Sequence, residues 1–315
     1  MSLPVTIIIP TRNCRPELER HLDAVERCFE SAAQVIAIDS ESTDGTFELL
    51  GRRLSSIGAS IVSHPPGLYQ SWNAACALAT APWTYFSTIG DTIAPEGLNE
   101  LWSVAEQLGA DVVISPPRML QQDGLTPADT RWPIHHFCEA MGPDALPRPL
   151  SRLETVTGLC SFGSASMLGS SAANLYRSAL LQQRPFPVEF GHAGDTAWAL
   201  QNCASLRVAI LPRAVSDFCL GWQFKDFDPR VQRELYLRLM DEARRALESS
   251  RGEPEHHFAL GWLNALTAHQ TALWDWLASQ ADLVRDHTDL RNYLARVEAE
   301  KARNLRARVK RLLGR

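Results

Sequence analysis

The sequence predicts an α/β fold: a mainly parallel sheet flanked by helices, then an all-helical C-terminal region. Three observations carry this. The apolar runs Val5-Thr6-Ile7-Ile8-Ile9 and Val35-Ile36-Ala37-Ile38 are short, β-branched and unalternating, as strands buried on both faces are. Helical patterns alternate with such runs through the first hundred residues, which implies right-handed crossovers and parallel pairing. From about Asp228 onward the pattern is wholly helical.

The elements follow in order. After the first strand comes a helix over 15–33, with Pro16 at an acceptable early position. Leu18, Leu22, Val25 and Phe29 recur at helical spacing and should face the sheet. The second strand leads into a helix over 46–57, which Ser42, Thr43 or Asp44 can cap. Strands are expected over 59–63, 83–88 and 111–115, with helices over 68–79 and 95–108. Both opening strands end in polar residues at one sheet edge, and in open α/β sheets ligands bind at the carboxyl edge. Seven prolines from Pro116 to Pro149 predict a long loop over 116–160, a length that is usually functional. Patterning returns over 167–181 and 207–211. Helices are expected over 229–249, 255–279 and 282–313. A boundary near 222–228 divides the chain into units 1–225 and 226–315.

Composition narrows the function. Of 315 residues, 45% are hydrophobic and 21% charged, ordinary for a globular protein. A net charge of -5 argues against a generic nucleic-acid binder. The 7 cysteines are scattered, odd in number and never in a CxxC pair, which fits reduced thiols rather than disulfides or a zinc site. The chain does not open with a basic stretch and a long apolar run, so no secretory signal is expected. Nor does any apolar run reach a membrane-spanning length of about 18 residues. A cytoplasmic location is the expectation.

Five stations carry the chemistry. They are Pro10-Thr11-Arg12-Asn13, Asp39-Ser40-Glu41-Ser42-Thr43-Asp44-Gly45-Thr46, Gly67-Leu68-Tyr69-Gln70-Ser71-Trp72-Asn73, Thr88-Ile89-Gly90-Asp91 and Gly194-Asp195-Thr196-Ala197-Trp198. In this order they resemble the family-2 glycosyltransferases, over about residues 3–220. The resemblance implies a GT-A-type fold and an inverting transfer of a sugar from a nucleoside-diphosphate sugar, UDP- or dTDP-linked. The implied acceptor is a saccharide or a lipid-linked molecule, and family habit points to surface polysaccharide assembly. Pro10, Thr11, Asn13, Asp39, Ser40, Asn73 and Gly90 would line the nucleotide. Asp91 would hold Mg2+ or Mn2+, and Asp195 would act as general base. Tyr69, His192 and Arg213 would touch acceptor or phosphate.

The chemistry wants these residue types. Transfer develops negative charge on a diphosphate leaving group, which a divalent cation stabilises. A carboxylate is a hard ligand for such a cation. The acceptor alcohol needs a base as it attacks. By residue type alone, Asp91 equally suits a turn before Pro95, and Asp195 a helix cap. Three positions depart from the family pattern: Glu41 stands for a glycine, Gly90 for an acid and Gly194 for a glutamate. Two other readings fit the same residues, a non-catalytic nucleotide-sugar-binding or scaffold protein and a nucleotidyltransferase. The tail over 301–315 carries seven basic residues and no acid, with Leu305, Val309, Leu312 and Leu313 on one side. It suits peripheral contact with an anionic membrane face, or a solvated helix end. Leu283, Leu290, Leu294 and Val297 suit self-association through helices. Trp262, Trp274 and Trp276 read as core of the helical region.

Overall fold

The computed structural model describes residues 2–160, 167–220, 229–250 and 254–279. The chain begins β1 (Leu3–Thr11), α1 (Arg15–Ser31), β2 (Ala32–Asp39), α2 (Thr46–Leu54), β3 (Ser60–Ser63), α3 (Leu68–Leu78), β4 (Trp83–Phe86). It continues β5 (Thr92–Ile93), α4 (Pro95–Leu108), β6 (Val112–Ile114), β7 (Arg118–Leu120), α5 (Pro133–Met141), β8 (Arg148–Pro149), α6 (Arg152–Cys160). Then come β9 (Asn174–Arg177), α7 (Ser178–Gln183), α8 (Gly194–Asn202), β10 (Val208–Ile210), β11 (Ser216–Cys219), α9 (Pro229–Ser249) and α10 (Pro254–Ser279).

Eight strands form the main sheet in the order β3-β2-β1-β4-β9-β6-β10-β8, and β5-β11-β7 form a smaller one. In the main sheet β9 runs against β4 and β6, and β8 runs against β10. The remaining pairs are parallel, so β1, β2, β3, β4, β6 and β10 present their carboxyl ends to one edge. The mainly parallel expectation holds for these six strands.

Burial on both faces explains the unalternating runs. Val5, Ile7 and Ile9 face a core built with α1, α2 and α4. Ile8 faces the opposite core, with α3, α5, α6 and α8. On α1 the expected Leu18, Leu22, Val25 and Phe29 are all buried. They are joined by His21 and Cys28, on the same helical stripe.

The proline-rich stretch differs from the expected loop. It contains β7, α5, β8 and α6. Pro133 sits in the first turn of α5, where a missing N–H costs nothing. Ser151 and Glu154 form a capping box for α6: Ser151 Oγ accepts the Glu154 N–H at 3.2 Å and Glu154 accepts the Ser151 N–H at 2.9 Å. Prolines here start and separate short helices rather than prevent them.

The helical region begins as expected. Tyr236, Leu239, Met240, Ala243 and Leu247 of α9, and Ala259 and Leu263 of α10, are buried in the same core as Trp198 and Leu159. Trp262 is partly buried against that core. The expected boundary near 222–228, the side chains of Trp274 and Trp276, the helix over 282–313 and the basic tail lie outside the described residues.

Because α9 shares this core, Leu239→Ala should cost about 2–5 kcal/mol through the cavity it leaves. Urea unfolding followed by far-UV dichroism and tryptophan emission should show one transition shifted as a whole. Separate transitions for the two units would contradict the shared core.

Candidate active site

Two loops at the carboxyl edge are laced together. Thr11 and Asp39 are register partners at the ends of β1 and β2. Asp39 is almost fully buried. Its Oδ1 accepts hydrogen bonds from Thr11 Oγ1 at 2.9 Å and Ser42 Oγ at 2.6 Å, and Oδ2 accepts the Ser42 N–H at 2.8 Å. Asn13 donates its N–H to Ser42 Oγ and accepts the Thr43 N–H on Oδ1, both at 2.8 Å. Asp44 accepts the Arg15 N–H at 3.0 Å, and Thr46 Oγ1 accepts the Cys14 N–H at 3.1 Å. Ser40 N–H reaches the Thr11 carbonyl at 2.9 Å. Pro10 pairs with Ile38 one step back in register.

The lacing bends the backbone. Asn13 and Glu41 have φ of 44° and 50°. This left-handed region suits glycine, and costs a side-chain-bearing residue about 1–2 kcal/mol. Glu41 thus stands at a position whose conformation fits the glycine expected there.

Asp91 follows β4 at the same edge. It is 6% exposed, and burial pushes its pKa up from 3.8 to about 7. Hydrogen bonds from Thr88 Oγ1 at 2.5 Å, the Cys219 N–H at 3.2 Å and Ser170 act in the opposite direction. Gly90 has φ 96°, which L side chains rarely adopt, so the backbone favours glycine over an acid here. Beneath this loop His21 Nε2 lies 3.0 Å from Ser87 Oγ, and Ser87 N–H bonds Ile8 O at 2.8 Å. Burial lowers the His21 pKa to about 4, which keeps the ring neutral.

The third group gathers at Asp195, at the start of α8. Tyr69 enters from α3, and its hydroxyl donates to the His192 carbonyl at 3.3 Å. The same hydroxyl lies close enough to Asp195 to act on its pKa. Burial raises the Asp195 pKa, opposed by the Thr196 N–H at 2.6 Å and by the Tyr69 hydroxyl. A Cβ on Gly194 would meet the Tyr69 ring at 2.4 Å and Pro187 O at 2.8 Å. Tyr69 therefore fills the space a glutamate at 194 would need.

The remaining predicted residues are placed as follows. The Asn73 amide is engaged at both ends by the Phe186 backbone, at 2.8 and 2.9 Å, and so clamps the segment leading to Asp195. The His192 side chain is exposed. Arg213 pairs with Glu100 of α4 and lines a separate cavity beyond β6 and β10. Neither Asp39, Asp91 nor Asp195 lines that cavity.

Sequence reasoning missed Cys219 and Asp217, which β11 brings to Asp91 from about 125 residues away. Asp217 hydrogen-bonds Arg118 at 2.7 and 2.8 Å, and its charge also raises the Asp91 pKa. No local motif marks them. Among the described residues no group of three His, Cys, Asp or Glu side chains gathers as a metal cage. Among the described residues Asp91 has no basic hydrogen-bond partner, so one hard carboxylate oxygen source is present. That donor set fits Mg2+ or Mn2+ when substrate phosphates and water complete the coordination.

Comparison with known proteins decides the family. The Glycosyl transferase family 2 profile matches residues 6–166, about half of the chain. The protein belongs to glycosyl transferase family 2. This glycosyltransferase is 29% identical over 97 residues to the "PGL/p-HBAD biosynthesis glycosyltransferase" of Mycobacterium tuberculosis and Mycobacterium bovis. The match covers 30% of this chain and 38% of those relatives. Its fold is similar to S. aureus TarS 1-349 in complex with UDP, with a TM-score of 0.59, 16% identity, and coverage of 85% of this chain and 70% of TarS. It is also similar to the mannosyltransferase PcManGT of Pyrobaculum calidifontis, with a TM-score of 0.55, 17% identity, and coverage of 99% and 88%. These likenesses show the GT-A fold.

The raised Asp91 pKa has a stability consequence. Below about pH 3.8 both folded and unfolded states hold the proton. Between pH 4 and about 7 the folded state keeps a proton that the unfolded state has released. Stability should therefore fall as pH rises through that window, by on the order of 4 kcal/mol from this group in the absence of divalent cations. Asp91→Asn should flatten that component in thermal melts run in EDTA from pH 4 to 8.

Proposed function

We propose that this glycosyltransferase takes its sugar from a nucleoside-diphosphate donor, UDP- or dTDP-linked, and passes it with inversion to a saccharide or lipid-linked acceptor. The observation that carries this reading is the convergence of the Asp39 seam, Asp91 and Asp195 on one sheet edge. Asp39 reads a base N–H: its Oδ1 takes two donors, while Oδ2 takes one and keeps an accepting position. Thr11, Ser40, Asn13 and Pro10 shape the base and ribose pocket around it. Gly90 lets the chain pass close to the ribose. Support comes from TarS, whose structures hold UDP and UDP-GlcNAc, and from PcManGT, which holds GDP-Man and Mn2+.

Asp91 would hold Mg2+ or Mn2+. The ion, when bound, stabilises charge developing on the diphosphate. Asp195 takes the proton of the attacking acceptor hydroxyl. Its raised pKa brings it closer to neutrality, where a general base works best. Tyr69 holds the turn before Asp195 by its hydrogen bond to the His192 carbonyl. Asn73 holds the preceding segment, and His192 stands at the acceptor entrance. The family resemblance, with one base and no covalent nucleophile, supports a single displacement with inversion.

The relatives named for PGL/p-HBAD biosynthesis support a biosynthetic glycosyl transfer, which we propose serves surface polysaccharide assembly. No helix among the described residues is long and apolar enough to cross a membrane. We place the enzyme in the cytoplasm, with its basic tail as a peripheral contact at the inner membrane face. We also propose that 1–225 is the transferase unit and 226–315 its helical extension.

Two measurements test these assignments. Calorimetric UDP binding should tighten when Mn2+ is added, and Asp91→Ala should abolish that gain. Unchanged metal dependence in Asp91→Ala would rule out its role. Asp195→Asn should slow turnover by about 10²–10⁴-fold while UDP affinity stays the same. Full turnover in that variant would remove Asp195 as the base.

A further inference from the structure

A cavity of about 640 Å3 lies beyond the carboxyl ends of β6 and β10, apart from the donor-site residues. Five prolines line it: Pro116, Pro117, Pro127, Pro143 and Pro212. Their fixed φ makes the wall stiff. Three guanidiniums also line it, Arg118, Arg131 and Arg213, each with a side chain more than half exposed. Among the described residues Glu139 is the one acid in the lining.

His135 adds no charge to this wall. Its Nδ1 accepts the Trp132 N–H at 2.9 Å, so Nε2, 2.8 Å from the Pro117 carbonyl, carries the proton. The ring is neutral. Arg118 donates to Asp217 through Nε and Nη2, Arg213 pairs with Glu100, and Arg131 pairs with Glu139. Asp217 and Glu100 do not line the cavity. A guanidinium has five N–H donors in a planar fork, and one carboxylate partner uses at most two of them. Each of the three guanidiniums is therefore balanced by one carboxylate and keeps N–H donors beyond that pair.

We propose that this cavity is a second, oxyanion-binding site for a phosphate group, separate from the nucleotide pocket. Three forks suit a tetrahedral phosphate, and a volume of about 640 Å3 leaves room for an organic group that carries it. Arg213, expected from the family resemblance to touch acceptor or phosphate, lies in this cavity, paired with Glu100. Arg118 links the site to the donor edge, because its partner Asp217 stands beside Asp91. A phosphate drawn to Arg118 competes with Asp217 for the same guanidinium.

The test is calorimetry on the full chain with inorganic phosphate and with glycerol phosphate, with and without saturating UDP. The expected result is saturable binding that UDP does not displace. Arg131→Ala and Arg213→Ala should each weaken it by about tenfold, the loss expected for a charge-assisted hydrogen bond. Tighter binding of glycerol phosphate than of inorganic phosphate would identify an organic phosphate as ligand, and equal binding the free anion. Both outcomes support the site. Absence of saturable binding, displacement by UDP, or unchanged affinity in an R131A/R213A variant with wild-type dichroism and melting would overturn it. Arg131 and Arg213 are exposed, so their removal leaves the core intact and the readout interpretable.

Discussion

The seam between the β1 and β2 loops is the constraint on which the rest of the site depends. Asp39 is buried at its centre, and a buried carboxylate is tolerable only when its oxygens are filled by donors. Thr11 and Ser42 fill three of those positions. Asn13, Asp44 and Thr46 then tie the flanking backbone groups, so two strand ends become one rigid surface. Each bond contributes only about 0.5–1.5 kcal/mol net, but leaving a buried partner unmet costs about 1–3 kcal/mol. The seam is therefore held more by the cost of opening it than by the strength of any one contact.

Two of the three sequence departures share one kind of explanation. Gly90 lies in a left-handed backbone conformation, and Gly194 lies under the Tyr69 ring. At both, geometry favours the absence of a side chain. Glu41 is the reverse case, a side chain in a conformation that glycine fits. Asp91 and Asp195 are each left as single carboxylates, and burial raises the pKa of both. A second carboxylate beside either would raise it further. Near Asp91 that second charge is Asp217, and Arg118 offsets it.

The helical extension is joined to the site by packing. Arg238 of α9 sits 4.6 Å over the Phe190 ring and donates to the Glu189 carbonyl at 3.1 Å. Those two residues belong to the turn that leads into Asp195. Tyr236, Leu239 and Met240 fill the core beneath α8, whose first turn carries that aspartate. The extension therefore bears on the segment that aims the carboxylate, although it lies outside the stretch matched to the family.

The sequence by itself determined the alternating strands and helices, the carboxyl-edge stations and the two long helices, because periodicity and capping are local. The places of Asp39, Asp91 and Asp195 were legible because each lies where a strand ends or a helix begins. The proline-rich stretch was misread because a proline breaks a helix only in its interior. Pro133 sits in the first turn of α5, and Ser151 with Glu154 caps α6. The tertiary structure alone decided what surrounds the acids. Cys219 and Asp217 reach Asp91 across a separate small sheet, Tyr69 reaches Asp195 from α3, and the arginine cavity is assembled from the stretch 116–143 and the turn after β10. Such contacts follow from chain crossings, and crossings leave no period in the sequence.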